Sequence, residues 1–288
     1  MTLSIENQDI KASFQTKGAE LIHLSAFGAE RMWSGDPAFW GKHSPVLFPI
    51  VGALKDNTYF YEGAGYSLGR HGFARDREFA VVSHSATEVV FGLTSDDDSR
   101  NVYPFDFDFR IRYVLSGNHL DVTYSVTNTG ASVMWFSVGG HPAFAVPVAE
   151  GTSYDEYYLE FSETEDFNRW PLAGDGLIGA TTEPVALATN RIPLTKELFY
   201  GDALVFKHLK STSVTLKSDK TPRQLTFSYT GFPYLGIWAA KNAPFVCIEP
   251  WCGIADAIDH NQQLEDKEGM NRLEAGEEFE RTWSVTLL

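Results

Sequence analysis

One histidine and one glutamate of this chain stand in surroundings suited to proton transfer. His141 lies in the segment SVGGHPAFAVP, where two glycines precede it and a proline ends strand pairing just after it. Glu249 lies in APFVCIEPWCG, among apolar residues where a solvated charge is hard to place. An imidazole titrates near neutral pH, and burial raises the pKa of a carboxyl group towards the range of a general base. The two residues therefore indicate acid–base chemistry.

The segment GRHGFARD places His71 between Arg70 and Arg75 in a chain that is otherwise acidic. A solvated turn would account for this cluster, and so would a pocket wall that needs hydrogen-bond donors. Glu249 also has a second interpretation, in which its buried carboxylate pairs with Arg70 or Arg75 and serves stability alone. The residues by themselves leave these alternatives open.

Motifs for several other kinds of chemistry are missing from the sequence. It contains no HExxH, no paired CxxC, no acidic calcium loop, no GxSxG and no glycine-rich nucleotide loop. Cys247 lies on a predicted strand and Cys252 just after it, so their side chains are expected to face different directions. This argues against a zinc site. We therefore predict catalysis by histidine and glutamate side chains, with no metal and no cofactor.

Composition and charge exclude several partners. The 288 residues carry a net charge of −15, which would repel nucleic acid and anionic membranes over the whole surface. Aromatic residues make up 14%, a surplus that suits β-sheets and sugar-binding surfaces. No run approaches the ~20 apolar residues of a membrane helix, no secretory signal is visible, and two cysteines make no disulfide framework. We expect a cytoplasmic protein whose partner is a small molecule.

The elements that position these residues have the pattern of short antiparallel strands. Apolar and charged residues alternate over 107–115 and again over 120–126, after a short turn, which predicts a hairpin. Similar runs lie at 87–95, 132–138, 213–218, 224–229, 234–240, 244–251 and 281–288. The acidic stretch 261–280 reads as loop with one short helix at most. We predict an all-β fold, one antiparallel β-sandwich domain spanning residues 1–288.

Five segments in a fixed order give the chain its resemblance to a known family. They are SPVLFPIVGALKDNTYFYEG (44–63), RHGFARDREF (70–79), VGGHPAFAVP (138–147), LFYGDALVF (198–206) and FVCIEPWCGIADA (245–257). As a set they resemble the aldose 1-epimerase (galactose mutarotase-like) family, in its bacterial LacX-like branch. The resemblance implies a supersandwich β-fold with an open cleft and interconversion of the α and β anomers of a hexose.

The resemblance also implies the roles of individual residues. Glu249 looks like the general base that takes the proton from the C1 hydroxyl, and His141 like the general acid that protonates the ring oxygen. His71 resembles the histidine that binds the sugar and polarises it for ring opening. The resemblance further implies that two residues bind the substrate. They are Arg75 of the HGFAR signature and Asp202 at a turn before an apolar run.

Trp238 is predicted to bind the sugar because an apolar ring face packs against sugar C–H groups. One departure from the family pattern concerns Ala53, which stands in PIVGALKD where galactose mutarotases usually carry an arginine. A sugar contact is therefore missing at Ala53, and Arg75 and Lys55 are the candidates to replace it. The departure leaves the preferred sugar open.

Other functions remain compatible with the sequence. A non-catalytic carbohydrate-binding domain would stack sugars on Trp238, Trp251 and Phe144 and would not need a basic Glu249. A glycoside hydrolase or lyase ranks last, because no second carboxylate has surroundings as apolar as those of Glu249.

A hexose-6-phosphate 1-epimerase is a further alternative to a mutarotase of free sugars and ranks above the glycoside hydrolase or lyase. It would use Arg70, Arg75 and Lys241 as phosphate partners. The acidic net charge counts mildly against a phosphorylated ligand, although a local basic pocket can override it.

Overall fold

The computed structural model describes residues 1–288, and strands dominate its secondary structure. In chain order the strands are β1 (Thr2–Glu6), β2 (Ile10–Gln15), β3 (Glu20–Ala26), β4 (Ala29–Glu30), β5 (Val46–Leu47), β6 (Thr58–Tyr61), β7 (Ala64–Ser67), β8 (Ala80–His84), β9 (Glu88–Thr94), β10 (Phe107–Ser116), β11 (His119–Asn128), β12 (Met134–Phe136), β13 (Val138–Gly140), β14 (Ala143–Ala145), β15 (Tyr157–Arg169), β16 (Glu183–Pro193), β17 (Leu204–Lys207), β18 (Ser213–Ser218), β19 (Thr221–Ser228), β20 (Tyr234–Trp238), β21 (Phe245–Cys252), β22 (Asn271–Leu273) and β23 (Glu278–Leu287).

Helical structure is confined to single turns. The α-helix α1 spans Asp97–Arg100, and short 3-10 helices span Lys55–Asn57, Ala74–Asp76, Tyr154–Glu156, Glu197–Phe199 and Leu264–Asp266. None of these helices has the length and apolarity needed to cross a membrane.

Two large antiparallel sheets form the body of the fold. The nine-stranded sheet has the order β16-β15-β18-β19-β23-β11-β10-β9-β8. The six-stranded sheet has the order β17-β20-β21-β13-β5, with β14 also paired to β21. A four-stranded sheet, β1 to β4, and two strand pairs, β12-β22 and β6-β7, complete the structure. The prediction of an all-β antiparallel fold is confirmed.

The alternating sequence patterns fall on the strands as expected. The predicted hairpin is β10 and β11, which pair from Phe107 opposite Asn128 to Ser116 opposite His119. The remaining predicted runs coincide with β9, β12 and β13, β18, β19, β20, β21 and β23. The edge pair β15 and β16 was not predicted, and much of β16 is exposed, so its residues show no apolar face.

Aromatic residues connect the two large sheets. Phe48, directly after β5, stacks on Phe109 of β10 with ring centroids 4.5 Å apart. Phe144 of β14 lies 6.0 Å from Phe227 of β19, edge to face, and is 1% exposed. The suggestion that Phe144 stacks on a sugar is therefore wrong, because its ring points into the core between the sheets.

Phe48→Ala is expected to lower the free energy of unfolding by about 3–5 kcal/mol, because it leaves a cavity among rings that cannot close over it. Phe48 is fully buried, and four more aromatic rings besides Phe109 lie around it. Chemical denaturation measures the change, and Phe60→Ala, at a residue 37% exposed, is the matched control. Equal losses in the two variants would contradict this description of the core.

Candidate active site

Sheet register brings His141 and Glu249 face to face. Glu249 lies in β21, whose residues are all buried at the centre of the six-stranded sheet. The strands β13 and β14 pair with β21 through Gly139 and Ala143, on either side of His141. His141 therefore lies opposite Glu249, and its Nε2 atom is 3.2 Å from Glu249 Oε2.

Burial determines the charge of both side chains. Glu249 is 2% exposed and His141 is 9% exposed. Desolvation raises the pKa of Glu249 well above its ordinary value, and the Asp202 carboxylate raises it further. Desolvation lowers the pKa of His141 from 6.5 to about 3. Both shifts favour the uncharged pair, in which the one proton shared by the two groups lies on the carboxyl group beside a neutral imidazole.

His71 forms the cleft wall next to His141, and the two rings meet edge to face at 5.9 Å. Gly72 (φ = +69°) lets this segment pass the backbone of Phe48, since a Cβ there would overlap the Phe48 carbonyl oxygen. The Gly52 amide N–H donates to His71 Nδ1 at 3.0 Å, so neutral His71 carries its proton on Nε2. Burial lowers the pKa of His71 well below its ordinary value, which keeps it neutral.

Both arginines of GRHGFARD line the cleft, so this segment is a pocket wall rather than a solvated turn. Arg75 Nη2 donates to the Arg70 carbonyl oxygen at 2.8 Å, and Arg70 Nη2 donates to the Asp175 carbonyl oxygen at 3.3 Å. The interpretation of Glu249 as the partner of an arginine is wrong, because the side chain within reach of its carboxyl group is His141, with Nε2 3.2 Å from Oε2.

The remaining predicted residues, Asp202 and Trp238, also line the cleft. Asp202 lies in the turn before β17, where its Oδ1 accepts the Ala203 N–H at 2.8 Å. Trp238 ends β20, and its ring lies edge to face with His141 at 5.6 Å. The structure therefore gathers all six predicted site residues around one opening.

Trp40 is a site residue that the sequence analysis missed. Its ring stacks on His141 with centroids 4.9 Å apart and an angle of 28° between planes. It lies in the loop before β5, where no strand pattern marks it. Trp40 also meets Trp238 edge to face at 5.5 Å, so two indoles frame the imidazole.

The cleft formed by these side chains has a volume of about 580 Å³, in the range of small-molecule sites. Its larger apolar lining residues are Trp40, Leu172, Ile178, Phe199, Val205, Trp238 and Trp251. Lys55 does not enter it, because its Nζ donates to the His260 carbonyl oxygen at 3.2 Å. Of the two candidates to replace the arginine missing at Ala53, only Arg75 reaches the cleft.

One group of side chains brings three ligating atoms together. His141, Cys247 and Glu249 are all buried, and these atoms lie within 4.8 Å of one another. Cys247 shares a strand face with Glu249, whereas Cys252 lies on the opposite face, as expected. Burial raises the pKa of the Cys247 thiol well above its ordinary value, so it is a neutral neighbour of the acid–base pair. A metal ion would have to use the acid–base pair itself as ligands.

His141 is expected to stay neutral as pH falls through 6.5 and to gain its proton only towards pH 3. A histidine in the unfolded chain gains its proton near 6.5, so the contribution of His141 to stability decreases as pH falls through this window. Side-chain ¹⁵N NMR measures the titration, and a His141→Gln variant assigns the signal. A titration midpoint of His141 near 6.5 would contradict the conclusion that burial dominates the pKa of this residue.

Comparisons with known proteins agree on the relatives of this chain. The family model described as aldose 1-epimerase matches residues 1–283. The chromosomal protein LacX of Lactococcus lactis is 31% identical over 298 residues, covering 100% of both chains. The structure of a galactose mutarotase related enzyme from Lactobacillus acidophilus has a TM-score of 0.95 and 38% identity, covering 100% of this chain and 97% of that one. A galactose mutarotase-like protein from Lactobacillus casei has a TM-score of 0.93 and 31% identity, with both chains covered to 100%.

Proposed function

This chain belongs to the aldose 1-epimerase family, and we propose that it interconverts the α and β anomers of a hexose by opening and reclosing the sugar ring. The observation that carries the proposal is the contact of 3.2 Å between His141 Nε2 and Glu249 Oε2 in an open cleft. Ring opening removes a proton from the C1 hydroxyl and adds one to the ring oxygen. A pair of groups that shares one proton can perform both transfers.

In the proposed mechanism Glu249 is the base and His141 is the acid. Hydroxyl groups of a bound sugar solvate the Glu249 carboxylate and so favour the arrangement with the shared proton on His141. Glu249 takes the C1 hydroxyl proton while His141 protonates the ring oxygen, and the bond between C1 and that oxygen breaks to give the open-chain aldehyde. Rotation about C1–C2 and the reverse transfers close the ring as the other anomer, and both side chains recover their original protonation.

The surrounding residues bind and orient the sugar in this proposal. The Nε2–H of His71 and the guanidinium of Arg75 donate hydrogen bonds to sugar oxygens, and the Asp202 carboxylate accepts them from hydroxyl groups. The ring faces of Trp238 and Trp40 pack against sugar C–H groups. These contacts hold C1 and the ring oxygen within reach of the acid–base pair.

Asp202→Asn is expected to raise KM for the hexose about 10-fold or more, because a charge-assisted hydrogen bond contributes about 1.5–3 kcal/mol. The expected change in kcat is smaller, since Asp202 neither gives nor takes the transferred protons and acts on Glu249 only through its charge. Steady-state kinetics on the wild type and the variant measure the changes in KM and kcat separately. Asp219→Asn removes an equal charge at an exposed site outside the cleft and is the control. An unchanged KM in Asp202→Asn would contradict the binding role.

A second candidate function is supported by two cations of the cleft lining. Arg70 and Lys241 both line the cleft and are exposed to solvent. The Lys241 ammonium lies 5.1 Å from the ring centre of Tyr200. Guanidinium and ammonium groups are the usual ligands of phosphate, so these residues fit a hexose 6-phosphate.

Anomer exchange by NMR at equilibrium tests the two candidates on glucose, galactose and their 6-phosphates. If the substrate is a free hexose, the wild type accelerates exchange of the unphosphorylated sugars at least as well as that of the phosphates. If it is a sugar phosphate, the phosphates react faster, and an Arg70→Ser/Lys241→Ser variant loses that preference. Acceleration of none of these sugars would contradict both candidates.

A further inference from the structure

A lysine and an aspartate form an ion pair behind the cleft, shielded from solvent. Lys267 Nζ donates to Asp256 Oδ1 at 2.8 Å and to the Ile254 carbonyl oxygen at 2.6 Å. The two side chains are 1% and 0% exposed. Because removing two charges from water is costly, such a pair is weak evidence for stability and calls for another explanation.

Asp256 connects the segment after β21 to the segment after β5. Its Oδ2 accepts the backbone N–H of Lys55 at 2.9 Å, and its own backbone N–H donates to the Ala53 carbonyl oxygen at 2.9 Å. The connection is tight, because a Cβ on Gly52 would lie 2.5 Å from the Cβ of Ala255. The loop from Gly52 to Lys55 is therefore held in place by Asp256 on one side.

The other side of the same loop holds His71. The backbone N–H of Gly52 donates to His71 Nδ1 at 3.0 Å, and the backbone N–H of His71 donates to the Gly52 carbonyl oxygen at 2.9 Å. Gly52 has φ = +76°, a conformation that glycine adopts easily and also leaves easily. The direction of the Gly52 N–H, and with it the tautomer of His71, therefore depends on what fixes the loop.

We propose that Asp256, with its charge balanced by Lys267, is a positioning residue that holds the Gly52 N–H on His71 Nδ1. The consequence is that neutral His71 keeps its proton on Nε2 and offers the sugar a donor. Without the Gly52 hydrogen bond the two neutral tautomers compete, and part of the protein offers an acceptor instead. Asp256 and Lys267 do not line the cleft, so they act through His71 and not on the substrate.

The test compares two double variants. Asp256→Leu/Lys267→Met replaces the ion pair with apolar side chains, which leaves no buried charge unpaired and removes the acceptor for the Lys55 N–H. Asp256→Asn/Lys267→Gln also removes both charges but keeps an oxygen that can accept that N–H. Glu165→Gln is the matched control, since Glu165 is 6% exposed and lies outside the cleft. Its Oε1 accepts hydrogen bonds from the backbone N–H and the hydroxyl group of Ser211 at 2.7 and 2.8 Å.

Side-chain ¹⁵N NMR of the full chain reports the His71 tautomer directly. We expect only the Nε2–H form in the wild type and in Glu165→Gln, a mixture in Asp256→Leu/Lys267→Met, and recovery in Asp256→Asn/Lys267→Gln. Because only the Nε2–H form offers the sugar a donor, KM for the hexose is expected to rise by the reciprocal of the fraction that keeps this form, about 2-fold for an equal mixture. The control should leave KM unchanged.

Several outcomes would overturn the proposal. An Nδ1–H tautomer in the wild type would do so even where the apolar variant fails to fold. An unchanged His71 tautomer in a folded Asp256→Leu/Lys267→Met variant would show that Asp256 and Lys267 serve the fold alone. The same shift of the His71 tautomer in Glu165→Gln would show this too. The kinetic effect rests on the proposed function, whereas the tautomer does not. Absent turnover in the wild type with the expected tautomer shifts would therefore reject the proposed function and retain the positioning role.

Discussion

Glu249→Gln is expected to lose about 10²–10⁴-fold in kcat/KM for anomer interconversion, because an amide cannot take the proton of the C1 hydroxyl. Glutamine keeps the shape of the side chain, so β21 and the cleft should remain intact. Burial raises the pKa of Glu249, so the folded protein retains the proton longer than the unfolded chain, and the contribution of Glu249 to stability decreases as pH rises above 4.5. The variant lacks this decrease and should be at least as stable as the wild type at neutral pH.

Kinetics and denaturation on the same preparation separate the two effects of Glu249→Gln. Glu165→Gln, at another buried carboxylate, controls for the general effect of removing such a group. Near-normal turnover in a folded Glu249→Gln variant would exclude this residue as the base. Loss of turnover together with unfolding would show that Glu249 supports the fold instead.

His141→Gln is expected to produce a loss of similar size, because it removes the group that protonates the ring oxygen. Both side chains act in one transfer, so the double variant Glu249→Gln/His141→Gln should lose little more than the worse single variant. The two effects would multiply if the residues acted independently. Steady-state rates for the wild type, both single variants and the double variant decide between these outcomes, with the exposed His84→Gln as a control for histidine loss.

The sequence predicted those parts of the structure in which local pattern and burial coincide. Alternation over 107–115 predicted β10 because one face of that strand is covered and the other is in solvent. His141 and Glu249 were found because each is a polar residue in an apolar run, a context that a solvated side chain does not have. Their contact depends on the pairing of β13 and β14 with β21, which neither run specifies by itself.

The parts that were missed depend on contacts between distant segments. Trp40 lies in an irregular loop, and only the folded chain shows that its ring covers His141. Asp256 and Lys267 lie in or beside an acidic stretch that looks solvated in the sequence, yet both are buried where that stretch folds back against the Gly52 loop. Lys55 was a candidate for the cleft by proximity to Ala53, but the turn after Ala53 directs its ammonium to His260.

Polarimetry provides the decisive test of the claim that Glu249 and His141 open a hexose ring. Freshly dissolved α-D-glucose and α-D-galactose are followed to anomeric equilibrium with the wild type, with Glu249→Gln and without protein. We predict that the wild type accelerates the approach to equilibrium for at least one of these sugars and that Glu249→Gln falls close to the rate without protein. Equal acceleration by the wild type and a folded Glu249→Gln variant would contradict the claim.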